Sequence, residues 1–111
     1  MLTVFGSTAL DTIRTPTRVL KDVLGGAATF AGISASFFVK PRLIAVVGRD
    51  FPKKYHKILA ERLDLKGLSV KDGKTFRYSG SYDNTLSLRT TLRTDLNVLK
   101  NFKPVVPEDY K

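Results

Sequence analysis

The apolar positions of this chain fall into several distinct rhythms. Residues 2–6, LTVFG, form a short run of strand-favouring residues that Gly6 and Ser7 end. Residues 11–24, DTIRTPTRVLKDVL, alternate, with Ile13, Val19 and Val23 among polar neighbours and Pro16 between them. That rhythm predicts a second strand, bent or broken at Pro16 and lying at a sheet edge. Residues 25–39, GGAATFAGISASFFV, carry no charge. Ala28, Ala31 and Ala35 recur at helical spacing and give a small-residue face, while Phe30, Ile33 and Phe37 give a second apolar face. A helix apolar nearly all round is a buried one, and Lys40–Pro41 stops it.

A continuous run, RLIAVVG at 42–48, predicts a buried parallel strand. RDFPKKYHKILAERL at 49–63 predicts an amphipathic helix with Tyr55, Ile58, Leu59 and Leu63 on one stripe. Asp50 is read as its N-cap, and Pro52 is tolerated in the first turn. The fold class is therefore α/β, with helices covering a mainly parallel sheet. The pattern then changes. LSV at 68–70, KTFRYSGSYD at 74–83 and LSLRTTLRTDL at 86–96 are rich in Ser, Thr and aromatics, with turn signals at DGK and DNT. They predict an antiparallel flap with one polar face, paired with the DTIRTP segment. Pro104 and Pro107 bracket a short extended piece near the end. Residues 1–111 thus read as part of one domain. Core segments fall at about 1–10, 24–68 and 96–111, and lid segments at about 11–22 and 69–95. The parallel sheet is expected to be partial, incomplete at the C-terminus, with an edge of the LIAVV strand exposed.

Composition narrows the function classes. Hydrophobic residues make up 42% of the 111 residues, so the chain can build a core. Cysteine is absent, which removes disulfides and thiolate metal sites and fits a reducing compartment. No metal-ligand spacing occurs, and His56, the one histidine, sits on a basic helix as a surface residue. The N-terminus does not read as a signal peptide, and no apolar stretch is long enough to span a bilayer. The expectation is a cytoplasmic protein without a membrane partner. The formal net charge of +9 invites a nucleic-acid reading. Yet LIAVV interrupts the densest basic stretch, and Lys53, Lys54 and Lys57 read as the solvent side of one helix. A basic surface also suits anionic, phosphorylated ligands.

The glycine pair Gly25–Gly26, at the mouth of the predicted helix, admits two readings. It is either a tight turn with close packing, or a place where a ligand approaches the backbone. Free amides at a helix start would then offer donors. In order, GSTALD, GGAATFAG, VVGRDF, GKTFRYSG and TDLNVL resemble the N-terminal third of the ribokinase-like (PfkB) carbohydrate kinases, along the whole length of the chain. The resemblance implies a ribokinase-like fold with a β lid. It implies a kinase that transfers the γ-phosphoryl group of ATP, with Mg²⁺, to a hydroxyl of a sugar or nucleoside. It places Gly25 and Gly26 at the sugar site and makes Asp11 the carboxylate that accepts from adjacent hydroxyls.

One departure stands out. Many members carry asparagine where this chain has Phe30. Either Thr29 helps instead, or the substrate is not a simple ribose-like sugar. An aromatic there can stack on a base, although Phe30 reads first as core. Arg77, with Tyr78 and Tyr82, lies on the flap, where these side chains either touch a ligand or equally cover the sheet face. The family's catalytic GAGD-type motif and ATP region have no counterpart here, so no catalytic, ATP-binding or metal residue is assigned. The chain reads as a substrate-binding fragment, inactive alone, with a homodimer through the lid sheet as a further expectation. Two other classes stay open. A stand-alone sugar- or nucleoside-binding module would need a packed edge after Pro107, and the expectation is that the chain supplies none. A small basic nucleic-acid-binding protein would use Phe76, Tyr78 and Tyr82 on one strand face, provided no bulge intervenes at Gly80.

Overall fold

The computed structural model describes residues 2–85 and 87–110. Two sheets divide the chain. The core sheet has the order β1-β4-β5, from β1 (Thr3–Phe5), β4 (Arg42–Gly48) and β5 (Asp64–Lys71), all parallel. The lid sheet has the order β3-β2-β6-β7, from β2 (Ala9–Arg14), β3 (Val19–Gly25), β6 (Phe76–Tyr82) and β7 (Arg89–Asp95). Helices α1 (Ala27–Ala35) and α2 (Lys53–Arg62) belong to the core. The two lid hairpins, β2–β3 and β6–β7, are antiparallel, but β2 and β6 join them in parallel. Each excursion leaves the core at a strand's C-terminal end, so the two outgoing strands run the same way.

β4 is the centre of the core and is buried from Leu43 to Gly48. A strand covered on both faces is apolar without alternation, as LIAVV is. Leu43 and Ala45 pack with Ala28 of α1 and with Leu59 and Leu63 at α2. Gly32 lets α1 sit close, because a Cβ there would lie 3.2 Å from both Leu63 methyls. β4 also meets a short 3-10 turn, Asn97–Leu99.

Several expectations are corrected. The segment 11–24 is two strands, reversed at Thr15–Arg18 by a backbone bond from Thr15 N to Arg18 O (2.8 Å). The helix expected over 25–39 begins at Ala27, because Gly25 is the last residue of β3, and ends at Ala35. It is not buried all round. Its inward face is Ala28, Thr29 and Gly32, while Phe30, Phe37 and Phe38 are 58%, 69% and 90% exposed. Ile58 likewise turns to solvent. LSV is the end of core strand β5, not of the flap. The LIAVV strand has neighbours on both sides, so it exposes no edge. A packed C-terminal edge is present: Tyr110, in the 3-10 turn Glu108–Tyr110, is buried against β5. Its hydroxyl donates to Asp64 (2.8 Å to Oδ1, 3.0 Å to O) and accepts from the Gly67 amide (3.2 Å).

Asp50 does not cap α2, whose N-cap is Pro52 with no side-chain bond. Its carboxylate turns away to the start of the lid. There it accepts from the Thr75 amide and hydroxyl (both 2.8 Å) and from Arg77 Nη1 (2.7 Å). Thr75 is fully buried and accepts from the Gly48 amide at 3.0 Å. These bonds fasten the end of β4 to the root of β6.

Candidate functional site

The turn from β3 into α1 is built around Ser7. The Ala27 amide donates to Ser7 Oγ (3.0 Å) and the Ala28 amide to Ser7 O (2.9 Å). Two helix-start donors are thus already used by the protein. Gly26 makes the turn possible with φ 100° and ψ 147°, a region of the map essentially reserved for glycine. A Cβ there would lie 2.5 Å from Ser7 O and 2.9 Å from the Ala9 amide nitrogen.

Gly25 has a different reason. It pairs with Ala9 across the hairpin, and a Cβ on it would run into the Asp11 carboxyl group, 2.5 Å from Cγ. The space beside each glycine is filled by Ser7 and Ala9 in one case and by Asp11 in the other. Gly25 serves the site indirectly, by letting a carboxylate lie flat across the β3 backbone.

Asp11 is half-buried and has no hydrogen-bond or ion-pair partner among the described residues. Burial pushes its carboxyl above the ordinary aspartate value of 3.8. It opens into a cavity of about 300 Å³, lined by Ser7, Ala9, Asp11, Gly26, Ala27, Phe30, Phe76, Tyr78 and Arg89. That volume is at the lower end of small-molecule sites, roughly 300–1,000 Å³. One wall comes from β2 and α1, the other from β6 and β7.

The lid side of the cavity is held in place. The Tyr78 ring lies along Gly80, where a Cβ would approach ring atoms to 3.0 Å. The Tyr78 hydroxyl bonds Thr91 Oγ1 at 2.9 Å, and the Arg89 guanidinium stands 5.4 Å from the ring centre. The β6–β7 register shifts between Ser79 and Gly80, where β7 carries Leu92 as the extra residue, while β6 itself stays in unbroken register with β2, so Phe76, Tyr78 and Tyr82 keep their alternation.

Of the residues singled out from sequence, Asp11, Gly26, Phe30, Phe76 and Tyr78 meet at this cavity, with Gly25 directly behind Asp11. Phe30 is not core, as expected, but an exposed wall. Thr29 is fully buried and donates its hydroxyl to Thr8 Oγ1 at 3.2 Å, away from the cavity. Arg77 sits elsewhere too, paired with Asp50 (2.7 Å) and Asp22 (3.4 Å). Burial draws the Asp50 carboxyl upward, but the bonds from Arg77 and Thr75 together hold it below the ordinary range. Ser7 and Arg89 were not foreseen; Ser7 carried a signal, as a hydroxyl at the end of a strand.

A larger concavity of about 660 Å³ lies near Lys71, Lys74, Lys103, Asn97 and Asn101. Those side chains are exposed. It brings together no half-buried carboxylate of the kind that Asp11 places in the smaller cavity, so the smaller cavity is the stronger site. Among the described residues no cluster of three or more His, Asp or Glu side chains gathers, and no helix is long and apolar enough to cross a membrane.

No protein-family model matches the chain. It is 29% identical over 111 residues to the cytidine kinase of Thermococcus kodakarensis, a match that covers 98% of this chain and 39% of that protein. Among solved structures it resembles the Methanocaldococcus jannaschii nucleoside kinase, an archaeal member of the ribokinase family. There the TM-score is 0.69 at 23% identity, over 89% of this chain and 38% of that one. It also resembles the Burkholderia thailandensis nucleoside kinase in complex with inosine, with a TM-score of 0.76 at 15% identity, over 87% of this chain and 37% of that one. The chain has the ribokinase-like fold over the part it spans, which is about two fifths of the length of these kinases.

Proposed function

We propose that this chain is the substrate-binding N-terminal portion of an ATP-dependent kinase of the ribokinase type, acting on a hydroxyl of a sugar or nucleoside. The observation that carries the reading is Asp11: a half-buried carboxylate without a partner among the described residues, laid over Gly25 and open to a cavity. An ionised carboxylate only accepts hydrogen bonds. Asp11 is half-buried with its oxygens still reached by solvent, so a ligand that brings donors, as adjacent sugar hydroxyls do, would offset its burial. Bound hydroxyls would also fix the ligand's orientation, leaving another hydroxyl free to react.

ATP with Mg²⁺ supplies the phosphoryl group in this reading. The described residues do not form a carboxylate cluster fit for the metal, and the sequence carries no GAGD-type motif. We assign those parts to the length of the related kinases that this chain does not span. The 111-residue chain therefore binds substrate and does not by itself transfer phosphate. The lid sheet leaves Val19, Leu20 and Leu92 exposed, the surface that a second copy would cover.

Calorimetric titration of the protein and of Asp11→Asn with ribose and with cytidine tests the reading. Charge-assisted bonds are worth about 1.5–3 kcal/mol, so affinity should fall about 10- to 150-fold. Unchanged affinity in the variant sinks the assignment of Asp11.

A further inference from the structure

The cavity holds more aromatic surface than a small polyol uses. Phe30 is 58% exposed on a helix whose inward face is already complete with Ala28, Thr29 and Gly32. Tyr78 faces the same cavity and is fixed by three separate contacts, with Gly80, Thr91 and Arg89. Such a ring keeps one orientation before any ligand arrives. Asp11 shares the cavity and demands donors.

From this combination we infer that Phe30 and Tyr78 are stacking walls for a planar heterocycle, which makes the preferred ligand a ribonucleoside and Phe30 the residue that selects it over a free pentose. The inference rests on the reading of this cavity as the substrate site. The two ends of the cavity ask for different chemistry. A free pentose meets the carboxylate but leaves the aromatic faces in water. A free base covers the faces but offers no vicinal hydroxyls to Asp11. A ribonucleoside does both within one molecule. Arg89, a cation at the rim beside Tyr78, donates but never accepts. It therefore suits a base edge that carries a carbonyl oxygen. Stacking tolerates more than one base, because every base has a π face; the selection falls on base against no base.

The test uses the purified protein with ribose, cytidine and inosine as probes and calorimetric dissociation constants as the readout. Both nucleosides should bind at least about tenfold more tightly than ribose. Phe30→Ala should weaken both nucleosides about 5- to 150-fold, the span of base–aromatic stacking, and leave ribose unchanged. Phe30→Tyr, which keeps a π face, should restore nucleoside binding, and Phe30→Leu, apolar without one, should not. Because Phe30 is exposed, all three variants should melt like the parent. Equal affinity for ribose and nucleosides, or an equal loss of both in Phe30→Ala, overturns the stacking role while leaving the substrate site standing. Absence of binding by ribose and nucleosides alike overturns both readings.

Discussion

Gly25→Ala isolates the contact that the site depends on. Gly25 lies in β3 with an ordinary backbone, since positive φ among the glycines is confined to Gly26 and Gly73. Alanine is therefore not strained there, and it lowers the entropy of the unfolded chain, a gain of about 0.4–1 kcal/mol. Against this, the new Cβ would lie 2.5 Å from Asp11 Cγ, where carbon pairs normally rest at about 3.5–4.0 Å. The group in the way is a side chain, so Asp11 can swing off at a rotamer cost of about 0.5–1.5 kcal/mol. The opposing terms leave net stability within about 1 kcal/mol of the parent. Binding does not share that balance. With the carboxylate displaced, the charge-assisted bonds are lost, and affinity for cytidine should drop about 10- to 150-fold. Urea melts and calorimetry on the same samples give both numbers. In an Asp11→Ala background there is nothing left to displace, so Gly25→Ala should change affinity no further, and the cycle should show strong coupling. The reasoning is refuted if the single variant binds normally. It is refuted equally if the melt collapses and affinity falls only in proportion to the folded fraction.

Three further outcomes follow from the same geometry. Gly26→Val should unfold the protein or cost at least about 3 kcal/mol in a denaturant melt, because glycine-only backbone angles and two backbone collisions add together; a near-parent melt contradicts this. Burial raises the Asp11 carboxyl, so the folded state holds its proton to higher pH than the unfolded chain. Stability is then lost as pH rises through that raised value, and Asp11→Asn should raise Tm at pH 7 but not at pH 3, with an equal gain at both as the contrary result. Arg77→Met should cost about 1 kcal/mol and leave ligand affinity unchanged, since the Arg77–Asp50 pair is structural and partly exposed. Asp50 is held below 3.8, so the contribution of its bonds is present above that pH and lost as pH falls below it. The Arg77→Met deficit should accordingly shrink in acid.

The parts of the fold that a linear pattern encodes were legible. The unbroken LIAVV run announced a strand covered on both faces, and the basic side of α2 announced solvent, with Lys53, Lys54 and Lys57 exposed. What failed depended on partners distant in sequence. Asp50 before a proline looks like a helix cap, and only the fold brings Thr75 and Arg77 to it. LSV looks like flap because it is short and polar at its centre, yet it closes the core against β4. Phe30 illustrates a deeper limit. Its apolar pattern reads as a helix buried on every side, whereas α1 needs only its small residues inside, and the large rings are what it shows to the cavity and to water. Asp11 and the glycine pair were found from their order along the chain, but their physical relation, one glycine bending the backbone and the other making room for a carboxylate, required three dimensions.

The parallel joint between β2 and β6 has a consequence for the order in which the molecule assembles. Each antiparallel hairpin can zip from its own turn, but α1, β4, α2 and β5 separate the two hairpins along the chain, so Ala9 meets Phe76 only across a long loop. A contact of such long range is slow to form, and an isolated hairpin is marginal in water. The seam between the hairpins should therefore be the last part of the molecule to close and the first to open. The cavity is built across that seam, with Asp11 and Phe30 on one bank and Tyr78 and Arg89 on the other. A ligand that touches both banks acts as a rivet. Its binding should slow amide hydrogen exchange along β2 and β6 far more than along β4, and recognition in this protein is then in part the completion of folding.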